Sequence, residues 1–315
     1  MRKLLLGLAT VALTLAGTAY AQDKNYTIGV SIPAADHGWT SGVVFHAERV
    51  AKKLMAEHPG LNVIVKTSPD PASQANAVQD LETQGIDALV ILPTDPDPLV
   101  NAIKEVKSKG KFVALVDRAP SSNDDSVRDL YVAGNNPALG EVAGKYIAKE
   151  TPDAEVVIIR GLPIPIDQQR QDGFDKGIAG SNVKVLDRQY GNWNRDDAFK
   201  VMQDYLTKYP KIDVVWCQDD DMAVGVLQAI DQAKRTDIKY VVAGAGSKDM
   251  IKKVMDGDKM IPVDVLYPPA MVGTAMELTA AGLIDQVPVH GNYILDATLV
   301  TKDNAQNFYF PDSPF

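Results

Sequence analysis

Short runs rich in Val and Ile alternate with longer amphipathic segments along nearly the whole chain, a pattern that confines it to parallel sheets with crossover helices. The first set of expected strands is Tyr26 to Ile32, Asn62 to Lys66, Ala88 to Leu92, Phe112 to Val116 and Tyr131 to Ala133. The second set is Glu155 to Ile159, Lys184 to Gln189, Asp213 to Cys217, Tyr240 to Ala243 and Met260 to Val265, separated by helical patterns near 137–149, 168–179, 194–209, 222–233 and 248–256. The helix after Gly42 shows the logic: Val43, Val44, Ala47, Val50, Ala51 and Leu54 fall on one face, while Glu48, Arg49, Lys52 and Lys53 fall largely on the other. Two successive sets of about five such units predict an α/β protein of two doubly wound, Rossmann-like lobes. Functional residues are then expected at the carboxyl ends of strands. The polar stretch from Ala119 to Asp129 is expected to separate the sets as a connection or hinge approach.

The amino terminus is of a different kind. Met1-Arg2-Lys3, an apolar run from Leu4 to Ala16 and the triplet Ala19-Tyr20-Ala21 read as a cleavable secretory signal of residues 1–21, with cleavage before Gln22. Its removal takes away Arg2 and Lys3 and no acidic residue, so the formal charge of −9 becomes −11. That acidity, without a Lys/Arg cluster, argues against nucleic acid as a partner. No later apolar segment reaches about 18 residues, so a water-soluble mature chain is expected. The single cysteine, Cys217, follows Val214-Val215-Trp216 and reads as a buried small hydrophobe.

Enzymatic signatures are missing. There is no Gly-x-Ser-x-Gly elbow, no His-Glu-x-x-His and no Cys-x-x-Cys, and His46, His58 and His290 lack metal-ligand spacing. Gly140-Glu141-Val142-Ala143-Gly144-Lys145 has the wrong spacing for a phosphate loop and reads as small residues on a packed helix. No catalytic residue, metal or cofactor is expected.

The expected strand ends carry instead a set of aromatic and charged side chains: Asp36-His37-Gly38-Trp39, Asp117-Arg118, Arg170 near a helix start, Asn192-Trp193-Asn194, and Asp219-Asp220-Asp221. Such a set suits a carbohydrate, whose C–H face packs on aromatic rings while its hydroxyls both donate to carboxylates and accept from guanidinium groups. Plainer readings stand beside this one. Trp39 and Trp193 are also acceptable as core aromatics, Asp117 and Arg118 as a surface ion pair, His37 as a loop residue, and Asp36 and the Asp219–Asp221 run as helix caps.

With those residues in view, the chain resembles the periplasmic sugar-binding proteins of ribose and galactose type that serve ABC transporters, over essentially the whole mature length. The resemblance rests on Leu92-Pro93-Thr94-Asp95, Val116-Asp117-Arg118, Gln168-Gln169-Arg170-Gln171-Asp172-Gly173-Phe174 and Cys217-Gln218-Asp219-Asp220-Asp221-Met222-Ala223-Val224-Gly225. It implies the type I periplasmic binding protein fold: lobes of 22–133 plus 268–296 and of 134–267 plus 297–315, joined by three hinge crossings. It implies a ligand set of Asp36, His37, Trp39, Asp117, Arg118, Arg170, Trp193, Asp219 and Tyr267 around a pentose, hexose or polyol. It also implies a non-catalytic receptor in the periplasm that passes its ligand to a membrane permease; a monomer is expected. Ala245 departs from the family pattern, which commonly has Asp there, and His37-Gly38-Trp39 is unlike the ribose type. The competing functions are an exported carbohydrate-active enzyme and a sugar sensor feeding a chemoreceptor.

Overall fold

The computed structural model describes residues 25–122 and 124–315; the expected signal sequence lies outside them. The first half of the chain forms β1 (Tyr26–Pro33), α1 (Gly38–Glu57), β2 (Leu61–Ser68), α2 (Pro71–Thr83), β3 (Ala88–Ile91), α3 (Pro96–Ser108), β4 (Phe112–Val116) and β5 (Leu130–Gly134). There follow α4 (Asn136–Glu150), β6 (Glu155–Arg160), α5 (Pro165–Ile178), β7 (Lys184–Tyr190), α6 (Arg195–Lys208), β8 (Val214–Cys217) and α7 (Asp220–Ala233). The chain ends with β9 (Tyr240–Ala245), α8 (Lys248–Asp256), β10 (Asp264–Leu266), α9 (Met271–Ile284), β11 (Gly291–Leu295) and β12 (Leu299–Val300).

These strands make two sheets, in the orders β11-β5-β4-β3-β1-β2 and β12-β10-β9-β8-β6-β7. All neighbours are parallel except β12, which runs antiparallel to β10. Parallel sheets are covered by helices on both faces, so their inner strands are apolar throughout rather than alternating; all four residues of β3 and all four of β8 are buried. The chain crosses between the sheets three times, after β5, after β10 and after β11.

Polar caps convert most strand ends into helix starts, and this fixes those loops. Asp70 accepts from the Ser73 amide ahead of Pro71, and Asn135 accepts from the Ala138 amide ahead of Pro137. Asn194, Asp219 and Ser247 cap α6, α7 and α8 in the same manner, each satisfying amides that have no partner inside the helix.

Two expectations are corrected. The polar stretch 119–129 does not separate the lobes: it joins β4 to β5 within one sheet and carries a short 3-10 turn, Asp125–Val127. Its polarity reflects an exposed surface connection, and the first crossing comes only after Gly134. The tenth strand is shorter than its apolar run, spanning Asp264–Leu266, because only these residues pair with β9. The helix α9 had no counterpart among the expected helical patterns. It is packed on several sides, against α1 and against β4 and β5, and so shows no amphipathic stripe for a pattern search to find. Cys217 is buried and free.

The end of the chain returns across the molecule. Lys248 donates to the Ser313 carbonyl at 2.9 Å, and Phe315 packs against Gly42 of α1 and joins the core around it.

Candidate ligand-binding site

A cavity lies between the two sheets at the carboxyl ends of their strands. Its wall is His37, Trp39, Asp117, Arg118, Ile166, Arg170, Trp193, Asp219, Ala245 and Tyr267, around about 290 Å³ of empty space counting its mouth. Eight of the nine residues expected from sequence are in that wall. The ninth, Asp36, stands outside it: its Oδ1 accepts from the His37 ring at 2.6 Å and from the Thr40 hydroxyl at 2.8 Å. Burial opposes the charge on Asp36, but the bonds from His37 and Thr40 prevail and hold its carboxyl at about 2. Asp36 thus orients the His37 ring.

The first lobe contributes His37 and Trp39 from the loop and first turn of α1, and Asp117 and Arg118 from the end of β4. Trp39 and Arg118 are only 5% and 4% exposed. Arg118 is fixed by the Pro93 and Thr94 carbonyls, 3.2 and 2.6 Å from its guanidinium. Burial lowers its pKa, and the neighbouring Asp117 carboxylate opposes that loss. Nε of Arg118 has no hydrogen-bond partner.

From the second lobe come Arg170 of α5, Trp193 after β7 and Asp219 after β8. Arg170 donates to Asn136 Oδ1 and to the Gln218 carbonyl, both at 2.8 Å. Its position depends on the tight crossing of α4 and α5, where a Cβ on Gly140 would lie 1.9 Å from the Arg170 carbonyl oxygen. Asp219 caps α7 through Oδ1, so the capping reading and the cavity position both hold. Burial raises its pKa to about 7, with the nearby Asp220 and Asp221 adding to the effect and His37 opposing it.

The two halves meet across this cavity. Arg118 from one lobe and Arg170 from the other lie 5.3 and 5.8 Å from the centre of the Trp193 ring, and His37 stacks on the same ring with centroids 6.5 Å apart. Tyr267, at the second crossing, ties the set together. Its hydroxyl donates to Asp117 and accepts from Asn136 Nδ2, and its carbonyl accepts from Trp39 Nε1 at 2.9 Å. Asp117, Trp193 and Ala245 hold positive φ angles of 61°, 52° and 143°. Strain of that kind gathers at functional sites, and here half of the six non-glycine residues with positive φ among the described residues line one cavity.

Sequence reasoning missed Ile166, which the α5 start carries inward, and Asn136, which joins Arg170 to Tyr267. Neither gave a chemical signal: one is an ordinary apolar residue and the other sits beside a capping Asn. Among the described residues, no cluster of His, Cys, Asp or Glu is arranged to hold a metal ion, and no helix is long and apolar enough to cross a membrane.

Two Rossmann-like lobes closed over a small cavity of rings and charged groups define a bilobal solute-binding protein. The model of the periplasmic binding protein domain matches residues 28–286, and the chain belongs to that family. It is 30% identical over 305 residues to the ribose import binding protein of Escherichia coli, covering 96% of this chain and 99% of that one. To the galactofuranose-binding protein of the same organism it is 28% identical, covering 88% and 87%. Among solved structures, a galactofuranose binding protein superposes with a TM-score of 0.81 at 25% identity, covering 92% of this chain and 100% of that one. An ABC transporter solute binding protein from Mycobacterium smegmatis with bound glycerol gives 0.81 at 27%, covering 92% and 98%. The relatives are named as binding proteins of import systems, and the chain is a sugar-binding protein of that family, not an enzyme.

Proposed function

We propose that this protein captures a monosaccharide or sugar alcohol by hinge closure and delivers it to the membrane permease of an ABC importer. The observation that carries the reading is the cavity itself, in which guanidinium groups, carboxylates and indole rings from both lobes converge. The residues proposed to hold the ligand are His37, Trp39, Asp117, Arg118, Arg170, Trp193, Asp219 and Tyr267, with Asp36 acting through His37. In this reading 22–133 plus 268–296 move as one lobe and 134–267 plus 297–315 as the other. Ligand binding selects the closed arrangement, and a permease reads the new relation of the two lobe surfaces. The ligand is of the class that relatives carry in their names, among them ribose, galactofuranose and xylitol. The chain acts as a monomer, exported to the periplasm through the cleavable signal of residues 1–21.

A thermal-shift screen of the mature chain against pentoses, hexoses and polyols tests this, since a tight ligand raises the melting point by mass action. Scattering on the best ligand then measures closure. A raised melting point, a smaller radius of gyration and an unchanged sugar after incubation are expected. A panel with no binder, or conversion of the sugar to product, overturns the reading.

A further inference from the structure

The polar groups of the cavity are unevenly placed. Asp117, Arg118, Arg170 and Asp219 form a charged sector that reaches as far as Tyr267, whose hydroxyl bonds Asp117 and whose ring centre lies 4.6 Å from the Arg170 guanidinium, and Arg118 Nε there has no hydrogen-bond partner. The wall made by Trp39, Tyr267 and Ala245 is different, because its polar atoms are spent within the protein. Trp39 Nε1 donates to the Tyr267 carbonyl at 2.9 Å, and the Tyr267 hydroxyl is taken by Asp117 and Asn136. The Tyr267 amide donates to the Ala245 carbonyl at 3.1 Å. The rings of Trp39 and Tyr267 lie against each other with centroids 6.0 Å apart. Ala245 itself brings only a methyl group, and it is 4% exposed.

Ala245 is also held where an L residue is strained, at φ 143° between Gly244 and Gly246. Glycine would adopt that backbone freely. A side chain kept at a strained position in a ligand cavity points to a contact that the methyl makes. A buried hydroxyl facing this wall finds no free donor, and only acceptors that already take a hydrogen bond, whereas a CH2 or CH3 group there gains contact and leaves nothing unpaired.

We propose that the ligand is a deoxy sugar, or a deoxy polyol, whose reduced carbon faces the wall of Trp39, Tyr267 and Ala245, with Ala245 as the residue that sets this preference. The proposal rests on the carbohydrate reading and narrows it. Its ligand is amphipathic in the plane: hydroxyls meet the charged sector, and the carbon lacking oxygen meets the methyl and the rings.

The test is calorimetry on the mature chain with matched pairs: D-galactose and its 6-deoxy form, D-ribose and its 5-deoxy and 2-deoxy forms, L-mannose and its 6-deoxy form, and xylitol and its 1-deoxy form. At least one deoxy member is expected to bind about tenfold or more tightly than its parent, the scale that one pocket contact commands. Ala245→Asp, which supplies a hydroxyl partner, reverses that order. Ala245→Gly fits the backbone, keeps the fold and narrows the ratio by removing the methyl. If every parent binds more tightly than its deoxy form, or if Ala245→Gly leaves the ratio unchanged, this inference is overturned while the carbohydrate reading stands. If no member of any pair binds, both fall.

Discussion

The backbone amide of Gly38 donates to the Asp221 carboxylate at 2.5 Å, joining the first turn of α1 in one lobe to the first turn of α7 in the other. The bond crosses the cleft without entering the ligand cavity. It places an anion at a helix N-terminus, where unpaired amides and the helix dipole both favour negative charge. Arg195 holds the other carboxylate oxygen at 2.9 Å, and Gly38 has room for no side chain, since a Cβ would lie 2.9 Å from Phe315 and 3.0 Å from Asp221.

Asp221 therefore stabilises the closed form directly. Asp221→Ala should weaken ligand affinity by about five- to thirtyfold, equivalent to ~1–2 kcal/mol for a charge-assisted bond at a helix end, without removing any cavity group. Calorimetry should show the loss, and scattering should show a larger fraction of open molecules without ligand. Unchanged affinity and unchanged compactness together would refute the latch.

Removing the charged pair at the end of β4 should do more. Asp117→Ala strips the Tyr267 hydroxyl of its acceptor and Arg118 of its neighbouring carboxylate; Arg118→Ala removes a guanidinium that is 4% exposed and held by two carbonyls. Loss of one partner from a buried charged set costs about 2–5 kcal/mol, so each variant should bind at least tenfold more weakly. Titration calorimetry that finds both at wild-type affinity excludes this cavity as the site.

Much of this was legible in the sequence for one reason: in a doubly wound sheet, chemistry sits where strands end, and strand ends can be read from apolar runs. That rule located Asp117, Arg118, Trp193 and Asp219 without coordinates. It failed where position depends on contact between distant segments. Asp36 and His37 are adjacent, yet His37 lines the cavity and Asp36 faces solvent, a difference set by how α1 begins. The walling of Trp39 by Tyr267, 228 residues away, has no local trace. The latch from Gly38 to Asp221 spans 183 residues, and Asp221 read as a cap because it lies in an acidic helix start.

The glycines between α4 and α5 give a packing prediction. A Cβ at Gly140 would meet the Arg170 carbonyl oxygen at 1.9 Å and the Phe174 amide at 2.7 Å, both backbone atoms that cannot swing aside. Gly140→Ala must push the helices apart, at a cost of about 1–3 kcal/mol for overpacking. It should lower the melting point and, by displacing Arg170, weaken ligand binding as well. Gly282→Ala, on α9 where a Cβ meets only ordinary contacts at 3.7 and 3.9 Å, is the contrasting control for general loss of glycine.

The buried carboxyls give the pH dependence. Burial raises Asp219 from the ordinary 3.8 to about 7. It also raises both Asp220 and Asp264, and the charge of Asp220 adds to the rise at Asp264. A folded value above the unfolded one means that the native state holds protons the unfolded chain has released. The stability that Asp219 contributes is complete below about 3.8 and is lost as pH climbs through about 7. Each pH unit across that interval costs on the order of 1.4 kcal/mol per group. The melting point should therefore fall between pH 5 and pH 8. Asp219→Asn keeps an oxygen to cap α7 and has no proton to lose, so its melting point should fall less steeply over the same range. Parallel slopes for the two proteins in differential scanning calorimetry would show that Asp219 ionises at its ordinary value.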